Sequence, residues 1–101
     1  MLGQKLKQLR ESKGLVLRQV AAVLNVDTAY VCKMEKNDKP VSKTYLAKLA
    51  SLYDVDLKML QTLWLADKVY DVVKDEEMAI KAMHVAEDHV LKSKNKNRQS
   101  C

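Results

Sequence analysis

Two glycines, Gly3 and Gly14, and one proline, Pro40, are the only strong backbone breakers in a chain of 101 residues. Sheet folds need a turn every few residues, and turns lean on glycine and proline. A chain this poor in breakers, yet 48% hydrophobic, suits nearly continuous helix and argues against sandwiches and barrels. The expected fold class is all-α, one modest core with a short appendage. No apolar run approaches the roughly 20 residues of a bilayer span. The opening MLGQKLKQLRESKG lacks the apolar region of a signal peptide, so the expected location is the bacterial cytoplasm or nucleoid. Cys32 and Cys101 stand far apart without Cys-x-x-Cys spacing, which implies neither a disulfide framework nor a zinc site.

Apolar periodicity divides the chain into six helices. Residues 2–13 place Leu2, Leu6 and Leu9 on one face, and Gly14 closes the helix because it tolerates a positive φ. Residues 17–24 turn Val20, Ala21 and Leu24 inward. Asn25 follows, the non-glycine residue best suited to a left-handed turn. Asp27 is placed to cap a third helix over 28–36 by accepting from the Tyr30 amide, with Val31 and Met34 as its core face. After the loop KNDKPVS, Ser42 caps a helix over 43–53 carrying Leu46, Leu49 and Ala50. Asp56 caps a fifth over 57–73, and Asp75 opens a sixth over about 76–92 with Ala79, Met83, Ala86 and Val90 in one stripe. The tail 93–101 lacks apolar residues and is expected to be disordered.

Charge divides the chain as sharply as periodicity does. Residues 1–50 hold ten lysines and arginines against four acids, whereas 51–91 hold four against nine. A basic front seeks a polyanion and an acidic back is repelled by one. The front also contains VLNVDTAYVCKMEKN, two short helices joined through Asn25, Val26 and Asp27. Helices joined so tightly cross steeply, and the second projects from the body. Small leading residues then suit it to the major groove, whose base edges carry a distinguishable donor and acceptor pattern.

With these segments in view, residues 2–60 resemble the phage-repressor (Cro-like, xenobiotic-response-element) helix-turn-helix family. LKQLRESKGL, VAAVLNVD, YVCKMEKN and LAKLASLYDVDLKML match it in order and spacing. The resemblance implies a five-helix lambda-repressor-like domain over 1–60, here with an added C-terminal helix. It puts Thr28, Ala29, Cys32 and Lys33 on the groove-facing side, with Tyr30 near the sugar-phosphate wall. Lys33 would bond guanine, and Ala29 and the Thr28 methyl would touch a thymine methyl. Lys36, Lys39 and Lys43 fall where the family follows phosphates, and Arg10 and Glu35 match a structural pair tying helix 1 to the recognition helix. Val16 and Leu17 replace the usual polar residues at the start of helix 2, and Arg18 is expected to take over that phosphate contact. Asn25 and Asp54 stand at common glycines. Cys32 reads either as a small side chain or as a thiol sensor, the former favoured.

One recognition helix reads few base pairs, so such proteins bind as dimers on palindromic half-sites about 34 Å apart. The helical extension 61–92 is the expected dimerisation device, with Trp64, Leu65, Val69, Tyr70, Ala79, Met83 and Ala86 at the interface. The alternative is that helix 6 covers helix 5 within one subunit. The functional expectation is a dimeric, sequence-specific regulator of transcription, a repressor or autoregulator, with double-stranded DNA as partner and no cofactor. The extension LWLADKVYDVVKDE also resembles small controllers of restriction-modification operons. An antitoxin using the same reader, with a toxin as partner, and a helical adaptor docking on an enzyme are the competing readings. His84 and His89 are five apart, about 140° around a helix, and do not converge on a metal. No nucleophile has a base at readable spacing, so catalysis is not expected.

Overall fold

The structure, a computed structural model, describes residues 1–99, with side chains for 1–94. Six helices follow in order: α1 (Leu2–Ser12), α2 (Leu17–Leu24), α3 (Thr28–Glu35), α4 (Lys43–Tyr53), α5 (Leu57–Val73) and α6 (Ala79–Gln99). Among the described residues no strand occurs, and the all-α expectation holds. No helix of the described residues is long and apolar enough to cross a membrane. The chain divides into two compact units, Met1–Val69 and Tyr70–Cys101, with the division inside α5.

The first unit is organised by how its helices end. Gly14, Asn25, Asn37 and Asp54 all take positive φ, between 53° and 68°. At each, the following amide reaches back five residues: Leu15 to the Arg10 carbonyl, Val26 to Ala21, Asp38 to Lys33 and Val55 to Ala50, at 2.9–3.1 Å. This is the Schellman closure, which satisfies carbonyls that a helix end would otherwise strand. In three of the four the next residue is apolar, and Leu15, Val26 and Val55 pack on the core. Each closure therefore both ends a helix and aims the chain back inward.

Helix starts are less uniform. Asp27 caps α3 as its position predicts, Oδ1 accepting from the Tyr30 amide at 2.8 Å. Asp56 Oδ1 accepts from the Lys58 amide at 3.0 Å at the start of α5. Ser42 occupies the N-cap of α4 but makes no side-chain cap; its hydroxyl pairs with Thr44 Oγ1 at 2.9 Å. The neighbouring hydroxyl competes for the serine and wins. Val16 has no oxygen to offer α2, and only the return half of a capping box forms, Gln19 Oε1 accepting from the Val16 amide at 2.8 Å.

The buried core runs from Leu2 and Leu6 through Val20, Ala21, Leu24, Val31, Met34, Val41, Leu46, Leu49, Ala50 and Tyr53 to Leu60. The inward residues expected for helices 2, 3 and 4 are all in it. Two long-range contacts fix α1. Asp67 on α5 accepts from the Leu2 amide at 2.9 Å and lies 3.2 Å from the Met1 amino group, so a carboxylate from another helix caps α1. Gly3 presses on the end of α3: a Cβ there would stand 2.5 Å from Asn37 Oδ1 and 2.6 Å from the Met34 carbonyl. Only glycine lets the two backbones approach so closely.

The second unit comprises the last turn of α5, a tight connection and α6. The Glu76 amide bonds the Val73 carbonyl at 2.9 Å and the Ala79 amide bonds Glu76 at 3.2 Å. These turns occupy 73–78, which is why α6 begins at Ala79 and not at 76 as Asp75 suggested. At its other end α6 continues through Gln99, so 93–99 are helical where a disordered tail was expected; residues 100 and 101 lie outside the described residues. No glycine or proline interrupts the run, and lysines toward a helix C-terminus complement its dipole. No described side chain of this unit is buried.

Candidate nucleic-acid interface

The turn between α2 and α3 is three residues, and its geometry follows from two of them. Asn25, at φ 57° and ψ 45°, closes α2, and Asp27 in extended conformation opens α3. Between them Val26 drops its side chain onto the core. The turn is thus anchored at its centre and capped on both sides. Asn25 takes the left-handed conformation at modest cost because its short amide tolerates it.

Three residues of α3 are buried: Val31, Met34 and Glu35. The opposite face carries Thr28, Ala29 and Lys33, all exposed, with Cys32 half-buried at its edge as a free thiol. Tyr30 is half-buried. Its hydroxyl donates to the Pro40 carbonyl at 3.4 Å, and its ring meets Tyr45 edge-on at 6.3 Å between centroids. It braces α3 against the α3–α4 connection, where a place near the sugar-phosphate wall was expected of it. Arg18, Lys36, Lys39 and Lys43 are exposed, none in an ion pair among the described residues.

Glu35 is 7% exposed and would be costly there without a partner. Arg10 supplies one from α1. Its Nε donates to Oε2 at 2.8 Å and Nη2 to Oε1 at 3.1 Å, a two-pronged pair, while Nη1 donates to the Leu15 carbonyl at 3.0 Å. The hydrogen bond to Glu35 is the main reason the Arg10 pKa rises above its already high value. Nearby, Tyr53 is 1% exposed, and burial, with the Glu35 charge, pushes its hydroxyl up to about 12. The pair fixes the C-terminal end of α3 to α1.

Of the residues expected at a subunit interface, Trp64 is half-buried. It packs on the first unit's core and its indole N–H donates to the Val41 carbonyl at 2.7 Å. An amphipathic ring with a single donor goes where a stranded carbonyl can take it, and helical periodicity does not show that. Leu65 and Val69 in the first unit and Tyr70, Met83 and Ala86 in the second are exposed; Ala79 is half-buried. Sequence reasoning missed Gly3, Asn37 and Asp67 altogether. Only Asn37, an asparagine just past a helix end, carried a local signal.

The family model described as the helix-turn-helix domain matches residues 1–63. The chain belongs to the helix-turn-helix domain family. Membership assigns residues 1–63 a helix-turn-helix domain. A curated relative, the propionyl-CoA carboxylase regulator of Cereibacter sphaeroides, is 38% identical over 60 residues. That stretch is 59% of this chain but 13% of the relative, so the likeness concerns one segment of a much longer protein. Among solved structures, one titled a SinR protein/SinI protein complex has a similar fold. It aligns at a TM-score of 0.54 with 24% identity, over 92% of this chain and 99% of that one.

Proposed function

We propose that the chain is a sequence-specific transcriptional regulator that binds a palindromic operator as a homodimer and represses or autoregulates the genes controlled from it. The observation that carries the reading is the division of α3. Its apolar side and Glu35 are locked into the core, leaving Thr28, Ala29 and Lys33 exposed together on the other side. Lys33 has the reach to bond guanine O6 and N7, and Ala29 and the Thr28 methyl suit a thymine methyl. Arg18, Lys36, Lys39 and Lys43 supply charge for phosphates on either side, which fixes register without reading sequence. The curated relative is itself called a regulator, which agrees with this reading.

Support for the dimer comes from the apolar side chains left in water. Leu65 is 56% exposed, Val72 76% and Ile80 69%. A monomer leaves single apolar residues exposed at little cost, but a series within the second unit, Val72, Ile80, Val85, Val90 and Leu91, supports an interaction surface there. A second copy is the occupant that also doubles the base pairs read.

Selection of bound duplexes from a random pool tests both halves. A consensus with two-fold symmetry and half-sites about one helical turn, roughly 34 Å, apart is expected. A single asymmetric half-site refutes the dimer, and no enrichment at all refutes sequence-specific reading. Sedimentation adds an independent check, since a lone 11.5 kDa species at micromolar concentration removes the dimer.

A further inference from the structure

Trp64 stands just beyond the segment that the family model matches, and two lysines from different helices meet at its ring. Lys43 Nζ, from the first turn of α4, is 5.7 Å from the ring centroid. Lys68 Nζ, one turn further along α5, is 4.4 Å from it. The ring itself is fixed by the indole hydrogen bond to Val41, two residues before Lys43. An indole face attracts cations through its quadrupole, so one aromatic side chain gathers two ammonium groups that would otherwise repel.

Neither ammonium is neutralised. Among the described residues no ion pair includes Lys43 or Lys68. The acid next in sequence, Asp67, has its oxygens engaged by the Leu2 amide and the Met1 amino group. Both lysines are exposed. Two unpaired cations 4.4 and 5.7 Å from one ring centroid raise the local positive potential, which favours a polyanion over small counterions.

We infer that Lys68 contacts a DNA backbone phosphate beside the one served by Lys43, and that Trp64 is the positioning residue for both. The inference rests on the DNA-binding reading and extends its footprint from α4 onto α5. Each strand of a duplex carries about one charge per 3.4 Å of axis, so a strand passing Lys43 offers a neighbouring phosphate to a cation held near it. The contact carries no base information and strengthens binding to every sequence equally.

The test uses the full chain, a selected duplex and a random one, with affinity measured against salt. Each phosphate-bound cation contributes a slope of about 0.9 in log affinity against log salt. Lys68→Ala is expected to lower that slope by about 0.9 and to weaken both duplexes by roughly five- to tenfold near 0.1 M salt for each bound subunit, with an unchanged melting temperature. Trp64→Phe, which keeps an aromatic face but loses the Val41 bond, is expected to give a smaller uniform loss. Lys68→Ala with an unaltered salt slope overturns the inference, whether or not the melting temperature falls. A wild-type chain that binds neither duplex overturns the DNA-binding reading itself, a result distinct from an unchanged slope in a protein that binds.

Discussion

Residues 1–69 and residues 70–99 are built from equally helical backbone but differ in what that backbone conceals. The first unit sequesters thirteen hydrophobic side chains from Leu2 to Leu60, closes four helices with the same device and matches its one buried acid with an arginine. The second buries no described side chain, although Val72, Ile80, Met83, Val85, Val90 and Leu91 are apolar. Helix formation is therefore not the same as a core. The front holds its shape through long-range contacts, whereas the back leaves its apolar side chains exposed.

The strongest way to break that contrast is at the Arg10–Glu35 pair. Arg10→Met strands a carboxylate that is 7% exposed, and the first unit is expected to lose about 3–5 kcal/mol by chemical denaturation. A loss under 1 kcal/mol would mean that the pair does not hold α1 to the reading helix. Alkaline titration probes the same core through Tyr53. Its hydroxyl is neutral in both states below pH 10, so the contribution is fully present there. Between pH 10 and about 12 the unfolded chain ionises first, and stability of about 2–3 kcal/mol is lost. Tyr53→Phe should flatten that part of the stability profile; an identical decline in the variant would place its origin in other groups.

On the reading face, Lys33→Ala is expected to cost about 1–3 kcal/mol of binding at one base position, while Lys39→Ala weakens all duplexes alike. Equal losses on specific and random DNA for Lys33→Ala would take it out of the base-reading set. The smallest effect is expected in the back. Val72→Ala, at a side chain 76% exposed, should leave the unfolding of the first unit within about 0.5 kcal/mol of the parent. A larger shift would mean that the two regions share a stabilising contact.

What the sequence disclosed follows the same divide between local and distant causes. The Asp27 cap, the turn at Asn25 and the inward faces of helices 2 to 4 are local chemistry, legible from spacing alone. The Arg10–Glu35 pair spans 25 residues and was reached only through family resemblance. Asp67 capping α1 across 65 residues, Asn37 accepting from the Gly3 amide across 34 and Trp64 reaching Val41 across 23 left no periodic trace. They depend on which surfaces meet, and a helical wheel is silent about that. Trp64 shows this most plainly: it was expected at a subunit interface, and nothing in its spacing announces the indole bond to Val41.

The bracing of α3 at both ends has a thermodynamic corollary. Asp27 fixes its first turn, Tyr30 its middle through Pro40 and Tyr45, and Glu35 its last turn, all without a partner molecule. A recognition element already rigid in the free protein gives up little disorder on docking, so complex formation should carry a small heat-capacity change and none of the large negative one that accompanies coupled folding. Discrimination between operators would then rest on how well an unyielding shape fits each groove.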